Sequence, residues 1–414
     1  MTFVFRGRRL GRDILRSACS MKCLLSSSEM ELETRPSQQR TEDDWSAIFV
    51  HAGAGFHSVQ NEPSHLEACS AACRAAMVFL RNGGSAVDGV EMALKSLEDN
   101  EITNSGYGSN LSLDGTVECD ASIMEDTGRS GAVGAVDRFK NPSALARLVL
   151  DNTRRPMSLK RVPPVMLVGP GAQSYAKEHR FPLVDNEALI SRNAHARWVK
   201  WKRELDAYGI RHKEHKKTPR SKVTGVTLTA AALSAKSELD AEIEKTGQRD
   251  ATEDVVTDTV GAICVDRWGR VAAGSSSGGI GMKHRGRIGP AALIGIGTWI
   301  RVEDGIVVAT TCSGTGEQMA HTLIASKAVD RMFHSDDESQ GLKTSIEKDF
   351  MGSKVVQEST MSSAVGIMAI KIDKNAAEKR IYFTYGHTTD SMDKVTPIAP
   401  IIRMSRVNEE PEPE

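Results

Sequence analysis

Short apolar runs that break on glycine alternate with stretches of helical periodicity along most of this chain. Ala47-Ile48-Phe49-Val50 is a strand-length apolar run that leads into His51-Ala-Gly-Ala-Gly55. From Glu67 to Arg81 apolar and small residues recur at helical spacing, and Gly83-Gly84 ends the pattern. Ser85 then offers a capping hydroxyl to a second helix that reaches Leu97. Two apolar segments, Ser109–Leu113 and Thr116–Ile123, flank Asp114-Gly115 and predict a β-hairpin. Asn141–Leu150 predicts a third helix, with Pro142 at a tolerated first-turn position.

Near residue 195 the periodicity weakens and the charges segregate. Residues 200–222 carry nine basic and three acidic side chains, and residues 236–258 carry three basic and eight acidic. The stretch of about 195–258 therefore reads as a charged insertion, part helix and part linker. At Thr259 the pattern flips to Thr259-Val-Gly-Ala-Ile-Cys-Val265, a buried strand. A turn at Trp268-Gly269, a second strand and the pair Gly278-Gly279 follow. A hairpin sets the start of its first strand beside the end of its second, so Thr259 is expected near Ser275–Ser277.

Composition narrows the classes. A chain of 414 residues buries a substantial core. With 53 basic and 54 acidic residues, its surface is not committed to nucleic acid, and no direct nucleic-acid partner is expected. No run of 18 apolar residues exists in the sequence, so no helical membrane span is expected. Of seven cysteines, Cys69 and Cys73 lie at helical spacing without a His-rich cluster, which reads as reduced thiols and no metal site. Residues 1–45 read as a polar tail. Its first 28 residues hold six basic side chains and one acid, so a disordered tail and a mitochondrial presequence both stay open.

Taken alone, Thr259 is a strand-edge threonine, and Asn104 and Gly53 are turn residues. The wider pattern changes that. Thr259-Val-Gly-Ala with Ser277-Gly-Gly eighteen residues on resembles the signature of the N-terminal nucleophile hydrolases of the asparaginase-2 family, and within it the threonine-aspartase (taspase) branch. Further matching blocks include Val50-His-Ala-Gly-Ala-Gly55, Thr103-Asn104, Glu118-Cys-Asp-Ala-Ser-Ile-Met124, His284-Arg-Gly-Arg287 and Gly314-Thr-Gly-Glu317, over about residues 47–392. Two departures stand out: Ser362-Ser-Ala-Val-Gly366 lies where the family usually has a glycine pair, which puts close backbone approach there in question, and the insertion matches only in character.

The resemblance implies a four-layer αββα sandwich of α+β class. It implies self-cleavage between Asp258 and Thr259, giving an α subunit of residues 46–258 and a β subunit of 259–414 that stay associated, with pairing of two such units open. Thr259 would be the nucleophile, its liberated α-amine the base. Ser277 would hold that amine, Ser313 and Gly314 would form the oxyanion hole, and Gly53 and Asn104 would line the site. Arg287 would grip the substrate carboxylate. Where asparaginases carry an acid for the substrate ammonium, this chain has Pro290, which with Asp258 before the cut favours aspartyl bonds inside polypeptides. The chemistry needs no cofactor. His51 and His284 read as structural or pocket-wall residues.

Within the branch, substrates are nuclear regulators, including histone methyltransferases of the mixed-lineage-leukaemia or trithorax type and the precursor of general transcription factor IIA. A nuclear and cytoplasmic location follows, and the basic cluster at 213–222 reads either as an import signal or as a solvated helix face. The competing readings are an isoaspartyl peptidase or L-asparaginase, and a non-catalytic binding protein on the same fold.

Overall fold

The computed structural model describes residues 45–55, 60–215, 258–360, 363–376, 380–388, 391–397 and 400–406. The tail and presequence readings and most of the charged insertion, residues 216–257, lie outside them.

The N-terminal half runs β1 (Ala47–Gly55), α1 (Glu62–Arg81), α2 (Ala86–Glu98), β2 (Cys119–Glu125) and β3 (Ser130–Val136). It continues through α3 (Pro142–Asn152), β4 (Met166–Val168), α4 (Gly169–Glu178) and α5 (Arg192–His215). The C-terminal half opens with β5 (Val260–Val265) and β6 (Val271–Ser277), followed by β7 (Thr298–Glu303) and β8 (Ile306–Gly314). Four α-helices come next, α6 (Gly316–Thr322), α7 (Ile324–Phe333), α8 (Glu338–Thr344) and α9 (Lys354–Gln357), with a π-helix at Ser345–Met351 before the last. Strands β9 (Val365–Asp373), β10 (Ile381–His387), β11 (Ser391–Pro397) and β12 (Pro400–Arg406) complete it.

Among the described residues the strands form an eight-stranded sheet, ordered β12-β11-β1-β5-β6-β2-β3-β4, and a four-stranded sheet, β10-β9-β8-β7. The pairs are antiparallel except β3 with β4. The two sheets face each other through Phe49, Ile263, Val271 and Ala273 on one side and Val307, Ala309, Met368 and Ile370 on the other. Helices α1 and α2 cover the outer face of the large sheet with Leu80, Val90, Leu94 and Leu97. Helices α6, α7 and α8 cover the small sheet with Met319, Val329, Met332 and Leu342. The result is the expected αββα sandwich, the arrangement in which two sheets with apolar faces on both sides lose both to packing.

Local signals explain the placements. Ser85 accepts from the Asp88 backbone N–H while Asp88 accepts from the Ser85 N–H, a capping box that starts α2 where the sequence predicts it. Helix α1 begins at Glu62, earlier than the periodicity suggests, with Pro63 in its first turn. The hairpin read at 109–123 is not formed as expected. Leu111 and Val117 make one isolated bridge, and the residues after it become β2, which pairs instead with β3 and β6. The Asp114-Gly115 turn is real, but the longer partners offered more backbone pairing than a two-strand ribbon.

Candidate active site

The join at residue 259 lies at the centre of the large sheet. Strand β5 pairs with β6 in the register Val260↔Ser276, which sets Thr259 beside Ser277 as the hairpin pattern requires. Strand β1, from the other half of the chain, flanks β5 on its second edge, with His51 opposite Gly261. Asp258 is 1% exposed and Thr259 5%, so the peptide bond between them is buried in an uncut chain.

That bond is held from three directions. The Asp258 carbonyl oxygen accepts a hydrogen bond of 3.0 Å from Ser277 Oγ and one of 2.9 Å from Asn104 Nδ2. On its other side the Thr259 N–H donates to Ser313 Oγ at 3.1 Å, and Ser313 Oγ also accepts from the Ala54 N–H at 3.1 Å. Ser313 lies on β8, so one hydroxyl ties the small sheet to two strands of the large one. Two donors on one carbonyl draw electrons toward its oxygen and make its carbon a better electrophile. Ser277 thus holds the carbonyl of this bond and Ser313 its nitrogen.

Asn104 is itself fixed. Its Nδ2 also donates to the Gly279 carbonyl at 2.8 Å, and its Oδ1 accepts from the Asn110 N–H at 2.9 Å. The Gly279 N–H donates back to Ser277 Oγ at 3.0 Å. Gly53 has φ +143°, and a Cβ there would lie 2.3 Å from both Cβ and Cγ of Asp258. Glycine at this position makes room for the Asp258 side chain.

Gly314 meets the segment that departs from the family pattern. A Cβ on Gly314, at φ +148°, would lie 2.2 Å from the Ala364 carbonyl oxygen, while the Thr315 N–H donates to that oxygen at 2.8 Å. Close backbone approach therefore survives at Ala364 in this segment, because Gly314 supplies the room.

Arg287 sits in a recess walled by glycines. Its Nε and Nη2 each donate to one oxygen of Glu317 at 2.9 Å. Its Nη1 is 3.0 Å from where a Cβ would stand on Gly279 and 2.7 Å from the same point on Gly289. Glu317 thus occupies the Nε side of the fork and leaves the Nη1 end turned toward the Ser277-Gly278-Gly279 strand end. Pro290 is buried beside it and opens a short 3₁₀ turn.

Sequence reasoning missed one participant, the carboxylate that holds Arg287. Glu317 was visible only as part of a matching block. His51, read as a structural or pocket-wall residue, has its ring fully buried between strands, with Nε2 2.2 Å from the point a Cβ on Gly261 would take. Burial pushes the imidazole down to about 4, against the opposing pull of Asp258 and the Thr259 backbone. It is neutral at physiological pH. His284, by contrast, is exposed.

The sign of the His51 effect on stability follows. The unfolded histidine takes up a proton below about pH 6.5, whereas the folded one refuses it down to about pH 4, so stability falls with pH across that window. In uncut Thr259→Ala protein, denaturant titrations should show the parent losing up to about 3 kcal/mol more than its His51→Gln derivative between pH 7 and 4. Parallel pH dependences would remove His51 from this account.

Among the described residues no group of three or more His, Cys, Asp or Glu side chains is placed to hold a metal ion. The arrangement instead offers one hydroxyl at a held peptide bond, hydroxyl and amide donors on its carbonyl, a hydroxyl acceptor on its nitrogen, and a guanidinium nearby.

The family model described as asparaginase matches residues 45–376. A probable isoaspartyl peptidase/L-asparaginase 2 of Arabidopsis thaliana is 31% identical, over 67% of this chain and 78% of its own length. A plant-type L-asparaginase of Pyrococcus abyssi is 33% identical over 69% and 78%. An isoaspartyl peptidase/L-asparaginase of Xenopus laevis is 30% identical over 67% and 73%.

Proposed function

Because the chain belongs to the asparaginase-2 family of N-terminal nucleophile hydrolases, we propose that it cuts itself before Thr259 and then acts as a threonine endopeptidase that cleaves proteins after aspartate. The doubly held Asp258 carbonyl carries this reading. Thr259 Oγ1 attacks that carbon, the C–N bond breaks, and the acyl group passes to the hydroxyl as an ester while the nitrogen leaves as an amine. Water then hydrolyses the ester, leaving a carboxylate on Asp258 and a free hydroxyl and α-amine on Thr259.

The new amine makes the second reaction feasible. An α-amino group titrates near 7.7–8.0, so a useful neutral fraction exists at cellular pH to accept the hydroxyl proton as Oγ1 attacks a substrate carbonyl. Ser277 orients the amine. Ser313, whose hydroxyl accepts two N–H groups in the uncut chain, still has its own proton to give to an oxyanion beside the Gly314 N–H. The amine returns the proton to the leaving nitrogen, and water releases the acyl group. Gly53 and Asn104 wall the site.

Arg287 sets the substrate class. An aspartyl residue places its side-chain carboxylate two carbons from the carbonyl under attack, within reach of a bidentate guanidinium. An isoaspartyl residue or free asparagine also brings an ammonium, which calls for an acid where this chain has Pro290. The second reading, an isoaspartyl peptidase or L-asparaginase, has the names of the relatives on its side. A panel of matched substrates separates the two. Hydrolysis of a peptide with Asp at the cut position, and not of its Asn counterpart, a β-aspartyl dipeptide or free asparagine, is expected. The reverse order would establish the second reading.

On the first reading the substrates are nuclear regulatory proteins, and the basic cluster at 213–222 suits import. The two fragments, 46–258 and 259–414, remain paired through the shared sheet.

A further inference from the structure

Behind the held carbonyl lies a second polar chain that none of the steps above uses. Glu98, the last residue of α2, is fully buried. Its Oε1 accepts from Ser276 Oγ at 2.7 Å and from the Ser143 N–H at 2.9 Å, and its Oε2 accepts from Ser143 Oγ at 2.8 Å. Ser276 Oγ in turn shares a hydrogen bond of 2.6 Å with Ser105 Oγ. Both serines are fully buried.

The positions of these two serines matter. Ser276 immediately precedes Ser277, and Ser105 immediately follows Asn104. Ser277 and Asn104 are the two donors on the Asp258 carbonyl. One carboxylate therefore reaches, through two hydroxyls, the residue next to each donor, although the donors lie 173 residues apart in the chain. We propose that Glu98 is a positioning residue that fixes Asn104 and Ser277 against each other, and so sets the rate of self-cleavage. The inference rests on the self-processing reading and adds to it the group that aligns the two donors.

A buried carboxylate is a costly way to fill space, since desolvation disfavours its charge unless hydrogen bonds offset it. Burial pushes the Glu98 carboxyl up to about 7, while bonds from Ser276, Ser143 and Asn141 pull the other way. An apolar side chain of the same size would pack without that cost but would hold neither serine. Alignment is the quantity at stake, because a displacement of about 1 Å can cost on the order of 10² in rate.

The test follows first-order self-cleavage of freshly made precursor by intact mass spectrometry, with melting temperatures taken in the uncut Thr259→Ala background. Ser276→Ala and Ser105→Ala should each slow the cut by about tenfold or more in chains that stay folded at the assay temperature, and Glu98→Leu by on the order of 10². Glu98→Gln keeps an acceptor for Ser276 and a group for Ser143, so it should cut within a few-fold of wild type. Wild-type rates in both serine variants, or in a folded Glu98→Leu chain, would overturn the proposal. So would a slow Glu98→Gln chain of unchanged stability. Should Glu98→Leu fail to fold, the serine variants decide. A wild-type precursor that never cuts would instead sink the self-processing reading itself.

Discussion

Thr259→Ala is expected to remain one chain of 44.9 kDa, where wild type gives two fragments divided between residues 258 and 259. The same variant should lose at least about 10⁴-fold in turnover, the scale seen when a catalytic nucleophile is removed. Both losses come from one atom. Without Oγ1 nothing attacks the Asp258 carbonyl, and without the cut no α-amine exists to act as a base. Alanine keeps most of the buried contact surface at a position that is 5% exposed, so the uncut chain should fold. Thr259→Ser, which keeps the hydroxyl, should still cut. The decisive contrary result is an uncut wild type that hydrolyses aspartyl peptides, since it would place the nucleophile elsewhere.

The second large effect concerns Arg287. Replacing it with alanine should lower kcat/KM for an Asp-containing peptide by about 10²–10³, the loss expected when a buried, charge-assisted pair is broken. Lysine should restore only part, because an ammonium is a point charge that cannot match a carboxylate fork or keep the two-point bond to Glu317. Self-cleavage offers an internal comparison, because Asp258 is already held by Ser277 and Asn104, with room left by Gly53, and the Arg287→Ala chain should still process. If wild type turns over Asn and Asp peptides equally, the carboxylate anchor is wrongly assigned.

How much of this could be read from the chain alone differs by residue. The Thr259–Ser277 neighbourhood follows from strand length and a two-residue turn, both local. Ser85 and Gly83 likewise announce where α1 stops and α2 starts. The 109–123 hairpin failed because the turn signal is local while the choice of strand partner is not: β2 prefers β3 and β6. Asn104, Gly53 and Ser313 were legible only through resemblance, since each meets the scissile bond across more than fifty intervening residues. Glu98, His51 and Glu317 fell within matching blocks, but nothing in those blocks gave their partners. Their significance lies in which atoms they face, and no spacing rule encodes that.

If the chain cuts itself as proposed, the adjacency of β1 and β5 has a consequence for the protein afterwards. Before the cut, a denatured molecule can recover alone, because both central strands belong to one polymer. Afterwards the same seam must be rebuilt by two separate partners that first have to meet, so recovery turns second order and fails on dilution. Thermal scans of cut protein should then be one-way, with an apparent midpoint that moves with heating rate. Activation in such a design is also a commitment: the working form is held by its barrier to coming apart and has no route home.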